Sequence, residues 1–234
     1  EFNSTYGTDF KVAPEGAFSV SAVNLAAGTT ASIGHVSFTG DASALDGENY
    51  LVPVKIKSVS EGGTAVKVLP TDTYYLVVNS ANQYTLANAT DLGTRQDERS
   101  GYLAISTIPN SAFTQGNWSG MFKNTFWVLA KKYTADVTID LGKEKANITG
   151  ICYQANSTSM FPKEFEISYA SEALYRNYPT VSCFVGKVTY VKGQEATLYI
   201  KFDKPITARY IKINKLSAQK SYYTCQNFYI FVSE

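Results

Sequence analysis

A single histidine, His35, is present in 234 residues, and this scarcity removes most acid–base chemistry at the outset. Ser-His-Asp and Cys-His arrangements each need an imidazole base. His35 lies in a strand-like run of the first half and reads as a strand residue with a local hydrogen bond. Cysteine is scarce too. Cys152, Cys183 and Cys225 are an odd number at spacings that match no paired-cysteine metal pattern, so they read as buried free thiols. No metal and no cofactor is expected, and no glycine-rich phosphate cradle is present. No apolar run reaches the ~18 residues that a bilayer-spanning helix requires. Charge of one sign is also missing: Lys+Arg 21 against Asp+Glu 20 leaves a net +1, which gives no electrostatic reason to expect a nucleic acid or an anionic membrane as partner.

Aromatic and β-branched residues are what the chain has in quantity. Tyr 17 and Phe 13, with 44% hydrophobic residues overall, favour pleated sheet and are ample for a packed core. The length fits two modest domains. In the first, short alternating runs are separated by turn signals: Ala17 to Ser21, Ile33 to Phe38, Tyr50 to Ile56, Thr64 to Val68 and Thr73 to Val78. Their spacing predicts a small immunoglobulin-like sandwich over residues 1–80. The polar stretch from about residue 79 to 100 is of the kind that separates domains, and the boundary is placed near 80. Residues 81–234 alternate again at Asp136 to Leu141, Phe165-Ile167-Tyr169, Leu198-Ile200-Phe202, Ile211-Ile213 and Phe228-Ile230-Val232. Without convincing helical periodicity, and with long loops at 152–163 and 215–226, this half predicts a jelly-roll sandwich. The chain is therefore read as all-β throughout.

Glycoside hydrolysis would need two carboxylates facing each other across a cleft. Asp140, Glu164, Glu166 and Glu172 are the acids at hand, but Glu164 and Glu166, at i and i+2 of a strand, read as a solvated outer face. No catalytic residue is assigned. The N-x-S/T triplets at Asn3, Asn88, Asn117, Asn147 and Asn156 read as a product of composition. The start at Glu1-Phe2-Asn3-Ser4-Thr5, without a Met, reads as a mature form whose export signal has been removed.

Four motifs of the second half stand in order: Asn124-Thr125-Phe126-Trp127, Val137-Thr138-Ile139-Asp140-Leu141-Gly142-Lys143, Phe165-Glu166-Ile167-Ser168-Tyr169 and Ala208-Arg209-Tyr210-Ile211-Lys212-Ile213. Together they resemble the discoidin, or coagulation-factor C-type, galactose-binding-like domain. The first half, through Phe18-Ser19-Val20, Asn49 to Ile56 and Thr73 to Val78, resembles the small immunoglobulin-like domain that precedes such modules in Bacteroidetes surface lipoproteins. The resemblance implies a cell-surface, outer-membrane protein, exported, touching the membrane only through a removed N-terminal lipid anchor. It also implies a glycan ligand and surface glycan-uptake proteins as partners. Calcium-binding members carry an acidic pair before the Asn-Thr-x-Trp motif, where this chain reads Gly120-Met121-Phe122-Lys123.

Discoidin-like lectins seat their ligand on loops at one end of the sandwich, and matching by order points to Phe113 to Phe122, Gln154 to Phe161 and Ser217 to Tyr223. A sugar asks for an aromatic ring against its apolar face and a few fixed hydrogen-bond groups. Trp118, Gln154, Asn156, Phe161, Gln219, Tyr222 and Tyr223 are the expected ligand-binding residues. Tyr222 and Tyr223 are adjacent, so in an extended segment only one of them packs inward. Trp127 is assigned to the core. The competing reading, that the same loops dock a protein subunit, uses the same exposed aromatics.

Overall fold

Strand alternation carries through into the structure, a computed structural model that describes residues 1–21, 37–45, 48–55, 59–61, 64–66, 73–79, 83–130, 132–191 and 193–233. His35 and much of the expected Ile33 to Phe38 run lie outside the described residues. Two compact units emerge, Phe10–Ser80 and a second made of Glu1–Asp9 with Ala81–Glu234.

Among its described residues the first unit contains three small sheets. Strand β1 (Lys11–Val12) pairs parallel with β4 (Asn49–Val54), and β4 pairs antiparallel with β7 (Tyr74–Asn79). The ribbons β2 (Phe18–Val20) with β3 (Phe38–Gly40), and β5 (Val59–Glu61) with β6 (Thr64–Val66), are the other two.

The second unit is built from β8 (Tyr84–Ala87), β9 (Thr94–Arg95), β10 (Leu103–Ile105), β11 (Phe113–Gln115), β12 (Trp127–Ala130), β13 (Ala135–Gln154), β14 (Pro162–Ala170), β15 (Cys183–Thr189), β16 (Thr197–Ala218), β17 (Tyr222–Cys225) and β18 (Asn227–Val232). Two strands organise it. β13 and β16, of 20 and 22 residues, run antiparallel along each other, well beyond the common strand length. The Asp136–Leu141 part of β13 pairs with β10, and the matching part of β16 with β14, which continues to β15. The far half of β13 pairs with β18, the near half of β16 with β8, and β18 with β9. Register shifts between Asp140 and Gly150, with positive φ at Gly142 and Asn147, mark where the long strands bend from one set of partners to the other. A separate ribbon, β11-β12-β17, closes one end.

Period-two alternation decides the core. Val137, Ile139, Ile151 and Tyr153 of β13 face Ile213, Ile211, Ile200 and Leu198 of β16, and all are buried. Phe165, Ile167, Phe228 and Ile230 fill the same interior. Each such side chain contributes about 1.5–3 kcal/mol by leaving water. Glu164 and Glu166 sit on the outer side as expected, tied to Lys187 and Lys215 at 2.8 Å each.

Two short α-helices among the described residues, α1 (Phe2–Tyr6) and α2 (Glu172–Asn177), leave the chain mostly β as expected. The units divide near residue 80, but two expectations need correction. The polar stretch after residue 79 is no mere linker, because it supplies β8 and β9, paired to β16 and β18. The first nine residues, grouped by sequence with residues 1–80, belong instead to the second unit. Phe2 and Tyr6 pack with Tyr178, centroids 5.8 and 5.4 Å away, beside the buried Ala170, Leu174 and Tyr210. The Ser171 hydroxyl donates to the Tyr6 carbonyl and accepts from the Leu174 amide, so one side chain caps α2 and pins α1.

Candidate functional site

The loop end named by the sequence carries few accessible rings. Trp118 opens a 3₁₀ turn capped by Asn117, whose side chain accepts from the Ser119 amide. It is only 6% exposed, packed edge-on to Phe113 at 5.0 Å and Trp127 at 4.8 Å. Phe161 is fully buried against Tyr153 at 5.5 Å, and Tyr223 is fully buried 5.9 Å from Trp127. The expected stacking roles of Trp118, Phe161 and Tyr223 are therefore corrected: edge-to-face packing of these rings plugs the end of the sandwich. Tyr222, next along β17, is 40% exposed, as adjacency on a strand requires. Gln219 works structurally, its amide donating to the Phe161 carbonyl at 2.8 Å. Asn156 is exposed, and its backbone amide donates to Thr224 Oγ1 at 2.9 Å.

Gln154 lies elsewhere, in a cleft of about 590 Å³ on the outward face of β16-β13-β18-β9, within the common range for ligand sites. Register lays out its floor. One row holds Tyr199, Cys152 and Tyr229, the two tyrosines flanking the small thiol; the next holds Thr197, Gln154 and Asn227. An aromatic row thus adjoins an amide and hydroxyl row. Phe231 continues the face toward Arg95 of β9. A wall is formed by Ala89, Thr90 and Gly93, in the segment that crosses the face from β8 to β9. Leu92 in that segment is buried against Cys152 and Phe231, and Thr149 Oγ1 donates to its carbonyl. Glu195 stands among the lining residues beside Thr197.

The polar groups of this face are held in place. Asn227 Nδ2 donates to Gln154 Oε1 at 2.7 Å and to Asn124 Oδ1 at 2.9 Å. Asn124 opens the Asn-Thr-x-Trp motif and has φ 56, so a motif residue reaches the candidate site through Asn227. The Arg99 guanidinium lies 3.9 Å from the Tyr229 ring centroid and donates to the Phe228 and Met121 carbonyls. Arg95, 4.7 Å from the same ring, is paired with Asp97 at 2.7 Å, and the Asp97 hydrogen bond raises its pKa. Burial pushes the Cys152 thiol up to about 12 and raises Tyr199, so the floor is uncharged at neutral pH. It offers the Tyr199 ring and neutral donors and acceptors, with the Tyr229 ring packed against Arg99 and Arg95.

Tyr199, Tyr229, Arg95, Thr197 and Glu195 were absent from the sequence expectation. A signal for two of them existed: Leu198-Tyr199-Ile200 and Phe228-Tyr229-Ile230 each place a tyrosine outward between two core residues.

Among solved structures, the chain is similar to a family 32 carbohydrate-binding module of Clostridium perfringens NanJ, in complex with galactose, at 18% identity over 57% of this chain and 95% of that one, TM-score 0.46. A second Clostridium perfringens module, in complex with GalNAc-β-1,3-galactose, matches at 13% identity over 57% of this chain and 97% of that one, TM-score 0.45. The family 32 module of Streptococcus pneumoniae EndoD matches at 20% identity over 57% of this chain and 97% of that one, TM-score 0.44. No curated protein matches the chain. A family model for an N-terminal domain matches residues 1–63. The model of the F5/8 type C domain matches residues 94–228. That match spans more than half of the chain and takes in all four motifs, so this protein belongs to the F5/8 type C domain family.

Proposed function

We propose that this chain is a non-catalytic carbohydrate-binding protein of the cell surface, serving glycan capture, with its second unit as the binder. The observation that carries this reading is the cleft floor, where Tyr199 and Tyr229 adjoin Thr197 and Gln154, the last held by the buried Asn227. Rings cover the apolar faces of pyranoses, and fixed amides satisfy hydroxyls. Glu195 is the one carboxylate among the lining residues, whereas glycoside hydrolysis uses two. The three thiols are buried with raised pKa values, which disfavours the nucleophilic thiolate. In the same reading the first unit is an immunoglobulin-like spacer, and the exported chain is held by an N-terminal lipid anchor beside surface glycan-uptake proteins.

A glycan-array screen of the intact chain, repeated with Gln154→Ala and Tyr222→Ala, tests the proposal. Specific signals support it, and silence across a broad array removes it. A protein-docking role has its own supporting observation: Leu103 and Ile105 of β10 are 63% and 46% exposed. Array silence would move the assignment there.

A further inference from the structure

We infer that the cleft accommodates an internal stretch of an extended glycan lying across the strands, not a single terminal sugar; this rests on the carbohydrate reading above. The argument is the direction and length of the cleft. Its lining runs from Glu195, Thr197 and Tyr199 on the β16 side, over Cys152 and Gln154 of β13 and Tyr229 and Phe231 of β18, to Arg95 of β9. Three interstrand steps separate β16 from β9, about 14 Å in all, which is longer than one pyranose ring. The crossing segment that holds Ala89, Thr90 and Gly93 takes the same course, since β8 pairs with β16 and β9 with β18. Cleft and wall therefore run alongside each other, as a groove for a chain requires.

The distribution of groups agrees with this. A pocket for one sugar concentrates its donors around one ring position. Here the groups are dispersed: Thr197 and Glu195 near one edge, Gln154 in the middle, Arg95 at the other edge, with tyrosines on two strands separated by Cys152. The wall is fixed as well, since Leu92 is 1% exposed and Gln96 continues the pairing by donating its amide to the Ile230 carbonyl at 3.0 Å. A preformed wall spares the ordering cost that a mobile loop would impose on a long ligand.

The test is affinity electrophoresis of the full chain through gels containing xylan, β-glucan, pullulan, α-mannan or chondroitin sulfate, followed by calorimetry with size-graded oligosaccharides of whichever polymer retards it. The expected result is no measurable monosaccharide binding and an affinity gain of about tenfold or more from disaccharide to tetrasaccharide. Tyr199→Ala and Gln154→Ala should abolish retardation. Thr90→Trp, at an exposed wall position, fills the groove without touching the core and should do the same, so the test stands even where Tyr199→Ala fails to fold. Retardation that survives Gln154→Ala and Thr90→Trp but is lost in Tyr222→Ala would overturn the groove and keep the carbohydrate reading. So would a monosaccharide that binds as tightly as its tetrasaccharide. No retardation by any of these polymers, together with array silence, would overturn both.

Discussion

Asp140 and Arg209 are joined by two parallel hydrogen bonds, Nε to Oδ1 at 2.9 Å and Nη2 to Oδ2 at 3.1 Å. Each belongs to a different motif, Asp140-Leu141-Gly142 on β13 and Ala208-Arg209-Tyr210 on β16, so the pair joins the two long strands where they bend. Asp140 Oδ1 also accepts from the Gly142 amide, and Arg209 Nη1 meets Glu172 Oε1 at 3.0 Å. Asp140 is only 7% exposed, whereas Arg209 is partly exposed and keeps Glu172 when Asp140 is changed. Asp140→Asn is expected to lower the unfolding free energy by about 1–2 kcal/mol in guanidinium titrations. A loss of about 0.5 kcal/mol or less would assign the pair to the weak class of surface ion pairs.

The plugged loop end gives a second prediction. Phe161→Ala removes a fully buried ring and should cost about 3–5 kcal/mol, whereas Tyr222→Ala should stay within about 0.5 kcal/mol. Comparing thermal midpoints of the two variants checks the division, and equal shifts would refute it.

Gly150 offers a test of the crossing segment. A Cβ there would stand 2.3 Å from the Ile200 carbonyl oxygen and 2.7 Å from Leu92 Cδ2. Gly150→Ala should therefore destabilise the second unit by about 1–3 kcal/mol and loosen the wall of the cleft. Faster amide exchange at residues 89–95 than in the parent chain is the signature to look for.

Alkaline pH should unfold the protein early. Burial raises Cys152 and Cys183 to about 12 from 9.0, lifts Cys225 as well, and raises Tyr102 to about 12 from 10.0 along with Tyr153, Tyr169 and Tyr223. Groups with raised folded pKa values contribute full stability below their unfolded pKa and lose it as pH climbs toward the folded one. Lys212, lowered by burial, acts in the opposite sense just below its ordinary value, as one group against the many that burial raises. Stability should be level near neutrality and fall by about 3 kcal/mol or more between about pH 8 and about pH 11. Urea titrations across that range decide the matter, and a flat profile would mean that the thiols are not buried in solution.

What was legible in the sequence followed from period two. The alternating runs at 136–141, 198–202 and 228–232 lie in β13, β16 and β18 with the anticipated faces inward. The bends that let β13 and β16 serve two sets of partners depend on bulges, which leave little trace in hydrophobicity. Ring burial at the loop end is not legible in the same way. Trp118 and Phe161 sit in irregular stretches where alternation says nothing, and only packing decides which face of a loop is wet. The cleft as a whole leaves no signal in the sequence because its residues are brought together by register across three strands, from Thr197 and Tyr199 through Cys152 and Gln154 to Tyr229. Register between distant strands is a tertiary fact.

The docking of α1 beside Tyr178 sets an order of assembly. Phe2 and Tyr6 precede the Phe10–Ser80 unit in the chain, and Ala170, Leu174, Tyr178 and Tyr210, beside which they pack, follow it. Closing so long a loop is slow, and the early unit is free to fold during the wait. Residues that precede the Phe10–Ser80 unit in the chain thus find their place only after residues that follow it, which makes their burial a marker that the second unit is complete.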